Sequence, residues 1–273
     1  MELNAAIDAL ARDPNATLDV AELALSLARE EYPDLDVEAY LGELAGMTRE
    51  ARNYLGSTLQ SQVAGLCRYL FHEMGYRGNK QDYYDPRNSY LNQVMDLRTG
   101  IPITLSILTM ALGQRLGIAI AGIGLPGHFI VKAVDRERQI LFDPFHGGRE
   151  LTFDDCENLV QQVTGKPFEA TCASLRGLPL GQIVARLLTN LKMVYLKRED
   201  YCKAARVISR LWQLSPQDQR ERRDLGSVLL KLGRVGQAID HLRAYLASGA
   251  VVPDSESIRQ LLDKAFSEVC KWN

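Results

Sequence analysis

The chain has 273 residues, of which 46% are hydrophobic and 24% charged, and its formal net charge is −2 at pH 7. This length predicts one large or two modest domains with a sizeable core. The balanced charge excludes a protein whose overall basicity would attract nucleic acid or an anionic membrane. The amino terminus lacks the basic flank and apolar run of a secretory signal, and no segment approaches the roughly 20 apolar residues that span a bilayer.

The cysteines are few and widely spaced. They are Cys67, Cys156, Cys172, Cys202 and Cys270. An odd number of cysteines without a C-x-x-C motif predicts neither a disulfide framework nor a zinc site. We therefore expect a cytoplasmic protein with reduced thiols, and the sequence contains no motif for a bound cofactor.

The first hundred residues have the apolar periodicity of helices. In the segment QSQVAGLCRYLFHEM the apolar residues recur three and four positions apart, which places them on one face of an amphipathic helix. Shorter patterns of the same kind cover 3–11, 18–31 and 37–54. Cys67 lies on the apolar face of the first segment, so we assign it to the core rather than to a nucleophilic site.

The middle of the chain predicts helices followed by strands. A segment rich in Gly, Asn, Asp and Pro predicts a loop that leads into a helix near Asn88. A second helix is predicted to begin at Pro102, because proline is tolerated in a first turn, and to end at Gly117. The runs IAIAGIGL, HFIVKAV and RQILFDPF that follow are rich in branched and aromatic residues, and turn signals divide them. They are predicted to be antiparallel strands.

From about residue 179 the chain is helical again and repeats itself every 34 residues. This offset relates Ala204 to Ala238, small residues that allow paired helices to approach closely. It is the period of the tetratricopeptide repeat. Two such units and a last helix complete the chain. We therefore predict a division into domains of residues 1–178 and 179–273.

Two residues of the predicted strands carry chemistry. His128 and Asp143 lie on or beside neighbouring strands, where a carboxylate can orient an imidazole as a general base or proton donor requires. The pair has no obvious third member. A buried His–Asp hydrogen bond that fixes a corner of the sheet explains the same spacing, so spacing alone leaves both interpretations open. His128, Asp143 and His146 are the residue types of a facial metal triad, but His146 sits in a Gly-rich turn and nothing in the sequence fixes its direction, so no metal site is expected.

Four motifs precede the repeats in order: NSYL (88–91), GIPITLS (100–106), PGHF (126–129) and DPFHGG (143–148). Together they resemble the SirB-type transglutaminase-like proteins over roughly residues 15 to 250. The resemblance implies an α+β fold, in which a helical amino-terminal part and a papain- or transglutaminase-like core, with a helix packed on a small antiparallel sheet, precede an all-α repeat array. It also implies a catalytic cysteine at the start of that helix, then a histidine and an aspartate on successive strands.

The chain departs from this pattern at the nucleophile. Pro102 stands where the superfamily has its cysteine, while His128 and Asp143 fall at the histidine and the aspartate. Thr104 is expected to point roughly 160° away from that position, because a helix turns about 100° per residue. Ser106 returns to the same face one turn deeper, where we expect it to be buried and bonded to a backbone carbonyl. The sequence therefore predicts the remains of a catalytic site.

The missing nucleophile determines the functional prediction. We expect a non-catalytic binding or regulatory protein that recognises a protein or peptide through a His/Asp cleft and the repeat surface. The residues predicted to line the cleft are Asn88, Tyr90, Gly100, Thr104, Ser106, His128 and Asp143. The alternative is a cysteine-independent amide hydrolase or acyl transferase with His128 as general base. The arginines of the repeat region have no interleaved aromatic residues, so we expect no nucleic-acid partner, and no membrane partner either.

Overall fold

The computed structural model describes residues 2–248 and 254–270. The chain forms two compact units, Met1–Leu187 and Leu188–Asn273. The helix Leu180–Lys197 spans the division between them. Within the described ranges, no helix is long and apolar enough to cross a membrane.

The first unit begins with helices, as predicted. They are α1 (Leu3–Arg12), α2 (Val20–Ala28), α3 (Val37–Ala51), α4 (Leu59–Cys67), α5 (Leu91–Leu97) and α6 (Pro102–Leu116). The side chains of Asp19 and Asp36 accept backbone N–H bonds at the starts of α2 and α3, which caps these helices. A π-helix continues α4 over Arg68–Glu73, and a 3-10 turn spans Pro86–Ser89. That turn occupies the place where the sequence predicted the start of a helix.

The strands form two sheets. A short parallel pair consists of β1 (Arg77–Gly78) and β2 (Thr99–Gly100), and an antiparallel sheet has the order β3 (Ala119–Leu125), β4 (His128–Val134), β5 (Gln139–Asp143) and β6 (Arg149–Leu151). Leu125 faces His128 across the first hairpin, and Val131 faces Phe142 across the second. The three predicted strands are confirmed, whereas β6 and the parallel pair were not predicted.

Helices cover the antiparallel sheet. Helix α6 packs against β3, β4 and the turn after β5, and α7 (Phe153–Thr164) packs against β4 and β6. Gly122 lacks a Cβ at the point where Phe129 and Met110 of α6 approach it. Ile130, next to Phe129 in the strand, belongs to the buried cluster that includes Val160 of α7. Because successive residues of a strand face opposite ways, the two helices lie on opposite faces of the sheet.

The second unit contains the predicted repeats. After α8 (Leu180–Lys197) come α9 (Tyr201–Leu214), α10 (Gln219–Lys231), α11 (Val235–Ala247) and α12 (Ser255–Cys270). Ala204 and Ala238, which the 34-residue offset relates, are both fully buried, as are Ile208 and Leu242. Helical hairpins with small residues at their closest approach confirm the repeat prediction. The first repeat ends at Pro216, and the 34-residue offset places Ala250 instead of a proline at the end of the second; Ala250 lies outside the described residues.

Candidate functional site

Antiparallel pairing brings the predicted pair together. His128 is the first residue of β4 and Asp143 is the last residue of β5, its neighbour in the sheet. The Nε2 atom of His128 lies 2.8 Å from Oδ2 of Asp143. Both side chains are buried, with exposed fractions of 5% and 1%. The pair is therefore a buried hydrogen bond at one end of the two central strands and not an open, solvated dyad.

A third residue joins the pair. His146 ends the 3-10 turn Pro144–His146 that follows β5, and its Nδ1 lies 2.7 Å from the same Oδ2 of Asp143. The two imidazole rings stack with centroids 5.8 Å apart. The expectations that the pair lacks a third member and that nothing fixes His146 are wrong, because the turn folds this residue back onto the carboxylate. We refer to His128, Asp143 and His146 as the His–Asp–His cluster.

The charge state of the cluster follows from these contacts. Burial by itself would raise the pKa of the Asp143 carboxyl, but hydrogen bonds from His128 and His146 hold that pKa well below its usual range. A carboxylate has only acceptors, so the nitrogens that face it carry the protons. With neutral rings, His128 Nδ1 and His146 Nε2 are then free acceptors, since neither has a hydrogen-bond partner among the described residues. His146 is the accessible one, with 36% of its side chain exposed.

Other side chains of the first unit surround the cluster. Arg186 donates to the backbone oxygens of Leu125 and His128, at 3.2 and 3.3 Å. Burial lowers the pKa of its guanidinium. Phe145 contacts His128 edge-on and also contacts Tyr83, with centroids 5.9 and 6.2 Å apart respectively. The sequence analysis did not identify Arg186, which is distant in the chain from every motif, or Tyr83, which lies in the predicted loop just before the NSYL motif.

A polar pocket of about 300 Å³ opens beside the cluster. Its lining residues are Asp143, His146, Arg149, Leu151, Asp155, Asn158, Leu159 and Gln162. Arg149 is paired with Asp155 at 2.6 Å, so these two charges offset each other. The pocket therefore presents His146 and the neutral amides of Asn158 and Gln162 to solvent.

The start of α6 carries no available nucleophile. Pro102 is the first residue of the helix and is buried. The hydroxyl of Thr104 accepts the N–H of Ile101 at 3.1 Å and donates to the backbone oxygen of Asn88 at 2.7 Å. This side chain therefore caps the helix.

Ser106 is fully buried, as predicted, but its environment differs from the prediction. Its Oγ has no hydrogen-bond partner in the described part of the chain. The predicted bond to a backbone carbonyl is therefore wrong. Thr109, three residues further along α6, does make such a bond, to Leu105 O at 2.8 Å. Within the described residues, Ser106 Oγ is therefore an unsatisfied polar atom in the core.

The remaining predicted cleft residues pack inside the fold. The Asn88 amide donates to the backbone oxygen of Asp82 at 2.7 Å and accepts from Asn79 at 3.1 Å. Tyr90 is buried edge-on against Tyr32, with ring centroids 5.4 Å apart. Gly100 is buried too, and a Cβ there would lie 2.8 Å from Oγ1 of Thr104. These contacts give Asn88, Tyr90 and Gly100 structural roles, and a role in binding stays a prediction for each.

The two buried thiols are also poor nucleophiles. Burial raises the pKa of Cys67 to about 12 and, with help from nearby carboxylates, that of Cys156 to about 11. Both are therefore thiols and not thiolates at neutral pH. Cys172 and Cys202 are exposed and free. The assignment of Cys67 to the core is confirmed.

Comparison with known proteins identifies two families. A family model described as the transglutaminase-like superfamily matches residues 38–189, and a tetratricopeptide repeat model matches residues 191–263. A UPF0162 protein of Xylella fastidiosa (strain Temecula1) is 36% identical over 246 residues, which cover 87% of this chain and 86% of that protein. A UPF0162 protein of Vibrio cholerae is 28% identical over 218 residues, with 79% and 80% covered. F-box only protein 21 of Homo sapiens is 31% identical over 157 residues, which cover 54% of this chain and 24% of that protein.

Proposed function

The chain belongs to the transglutaminase-like superfamily and carries a tetratricopeptide repeat region, and from this premise we propose that it is a non-catalytic binding protein that recognises a protein or peptide. Tetratricopeptide repeats generally mediate protein–protein interaction through their extended surfaces. We further propose that the protein is cytoplasmic and regulatory. Its four described free cysteines are consistent with a reducing compartment.

The main support for this proposal is that the start of α6 has no available nucleophile. Covalent acyl transfer needs a nucleophile within hydrogen-bond reach of its base. Pro102 has no nucleophilic side chain, and the hydroxyl of Thr104 is committed to Ile101 and Asn88. The chain therefore keeps the histidine and aspartate of the superfamily without the group that they would activate.

Recognition has two candidate surfaces, one in each unit. In the first unit, His146 and the amides of Asn158 and Gln162 offer donors and acceptors of the kind that a peptide backbone requires. In the second unit, a groove of about 390 Å³ runs along α9, α10 and α11, and its lining includes Arg234 and Gln237. Both surfaces are polar, which suits a partner that binds reversibly.

The charges of the repeat region support the absence of a nucleic-acid partner. Arg220 pairs with Asp218 at 2.8 Å, and Arg223 pairs with both Asp224 and Asp254 at 2.6 Å. Arginines that are neutralised by neighbouring carboxylates contribute little to phosphate binding.

The test begins with affinity capture from a lysate of the source cells, after which the captured protein is purified and titrated by calorimetry. We expect one partner molecule per chain and an affinity at least about tenfold lower, roughly 1.4 kcal/mol, for His146→Ala or Arg234→Glu. The matched control is His72→Ala, because His72 is an exposed histidine outside both surfaces. Urea unfolding of each variant separates lost recognition from lost stability.

Two results would contradict the proposal. If both surface variants bind the partner like the control, neither surface is the recognition site. If the protein hydrolyses amides or esters with a rate that survives iodoacetamide and disappears in His128→Ala, the protein is a cysteine-independent hydrolase. The free Nδ1 of His128 is the atom that would serve as base in that case.

A further inference from the structure

We propose that the His–Asp–His cluster is a binding site for one first-row divalent cation, of which Zn²⁺ is the probe. Cation binding requires no partner, although both proposals use His146. The three donor atoms are His128 Nε2, Asp143 Oδ2 and His146 Nδ1, and all lie within 4.8 Å of one another. Two imidazole nitrogens and one carboxylate oxygen form a ligand set that zinc and non-haem iron sites use.

The distances are close to those of a metal site. Zinc binds nitrogen and carboxylate oxygen at about 2.0–2.2 Å, so its ligand atoms lie roughly 3–3.5 Å from one another in tetrahedral geometry. Both nitrogens are already 2.7 and 2.8 Å from the carboxylate oxygen. To bind a cation, the two nitrogens must come closer together and each must move slightly away from the carboxylate oxygen. His146 can make that movement because it is half-exposed and is followed by Gly147 and Gly148, which have φ of 73° and 77°.

The other two ligands are held in place by the fold. The second carboxylate oxygen of Asp143 accepts the N–H of Phe145 at 2.9 Å, and its backbone oxygen accepts the N–H of Gly148 at 2.8 Å. These bonds aim Oδ2 at the two imidazoles. His128 starts β4 and is fixed opposite Leu125. Groups that orient the ligands in this way are what a metal site requires beyond the ligands themselves.

The site also has an open side. Asp143 and His146 line the polar pocket of about 300 Å³, which leaves room for water or a carbonyl or carboxylate oxygen to complete the coordination. Structural zinc sites have four protein ligands, whereas three protein ligands leave a position for water or another ligand. A cation here would take the place of the two ring protons that face the carboxylate, and in neutral rings each of these protons would move to the opposite ring nitrogen, so binding requires no net release of protons.

The experiment uses the full chain after dialysis against EDTA and then against chelator-free buffer with a non-thiol reductant. Zn²⁺ and Co²⁺ are titrated by calorimetry into the wild type, His146→Ala and the control His72→Ala. We expect one cation per chain for the wild type and the control. We expect His146→Ala to bind at least about tenfold more weakly, since even loss of a group that only orients a ligand costs 10–100-fold.

Two further readouts separate this site from the exposed thiols Cys172 and Cys202. The Co²⁺ spectrum is expected to show d–d bands without sulfur charge-transfer bands, and these bands should be absent in His146→Ala. Zn²⁺ is expected to raise the thermal midpoint of the wild type and of His72→Ala but not of His146→Ala, because a cation that binds only the folded state stabilises it. Absence of stoichiometric binding, unchanged affinity of His146→Ala, or a spectrum with sulfur ligands would overturn the proposal.

Discussion

The hydroxyl of Thr104 donates a 2.7 Å hydrogen bond to the backbone oxygen of Asn88, which ties the first turn of α6 to the 3-10 turn before α5. The Oγ1 atom of Thr104 also accepts the N–H of Ile101 at 3.1 Å. The hydroxyl nearest in sequence to the missing nucleophile is thus part of the scaffold. Its contribution can be measured as stability.

Thr104→Val is expected to destabilise the fold by about 1–3 kcal/mol, because it leaves a buried N–H at Ile101 and a buried oxygen at Asn88 without this partner. Thr109→Val is the matched control. Thr109 lies on the same helix and is also buried, but its hydroxyl bonds only to the carbonyl of Leu105. That change should cost less than about 1 kcal/mol. Urea unfolding measures the free energy of unfolding of each variant. An equal loss of stability in Thr104→Val and Thr109→Val would contradict the capping role of Thr104.

Gly148→Ala is expected to destabilise the protein more than Gly147→Ala. Both glycines have positive φ, so both changes carry a backbone cost of roughly 1–2 kcal/mol. A Cβ at Gly148 would in addition lie 2.5 Å from Sγ of Cys67, whereas a Cβ at Gly147 would have nothing within 4 Å. Overpacking of this kind costs about 1–3 kcal/mol more. The measurement is the difference between the free energies of unfolding of the two variants. A difference near zero would contradict the prediction, because it would show that the Cys67 side chain moves aside at no energetic cost.

The sequence predicted the elements of the core well, and local physical causes explain this success. Proline at the start of α6 and glycine at its end are signals that act within one turn, and both stand where the structure has them: Pro102 begins the helix and Gly117 caps it with φ of 79°. The strands were equally clear, because branched and aromatic residues are separated by turn residues. The 34-residue offset placed Ala204 and Ala238 at equivalent buried positions.

The sequence could not predict the third member of the cluster as readily. The position of His146 depends on a 3-10 turn, in which residues three apart lie on the same side, so His146 returns to Asp143. The spacing in DPFHGG contained this signal, but a turn with two following glycines admits other conformations. Arg186 donates a hydrogen bond to the backbone oxygen of His128, which is 58 positions away in the chain. No local sequence pattern could predict a contact between residues so far apart.

Lys192→Met is expected to destabilise the repeat unit by about 2–4 kcal/mol. The buried ammonium of Lys192 contacts Glu221 at 2.7 Å and Asp224 at 2.5 Å, and its loss leaves two carboxylates facing each other. Both acids are partly exposed, so water recovers some of the cost. Glu221→Gln is the matched change and should cost less, because Asp224 still pairs with the lysine. Tryptophan fluorescence during urea unfolding reports on this unit, because both tryptophans of the chain, Trp212 and Trp272, lie within residues 188–273. Equal effects of the two changes would contradict the shared role of Lys192.

His241 makes the repeat unit sensitive to acid. Burial and the charge of Arg222 lower the pKa of this imidazole. Its Nδ1 is buried without a partner in the described ranges, and its ring meets Trp212 edge-on at 5.2 Å. The folded state therefore binds the proton more weakly than the unfolded state does. The neutral imidazole of His241 is therefore the form that the folded repeat unit favours.

Stability should accordingly be highest above the unfolded pKa of about 6.5 and should fall as the pH drops through that value towards the lower folded one. We expect the urea midpoint of the wild type to decrease between pH 7.5 and 5.5, and His241→Gln to lose part of that decrease. His72→Gln is the control, because His72 is exposed and its replacement should leave the pH dependence unchanged. Other groups also titrate in this range, so the test compares how steeply the urea midpoint changes with pH in the wild type and in each variant. A slope for His241→Gln equal to that of the wild type would show that protonation of His241 does not oppose folding.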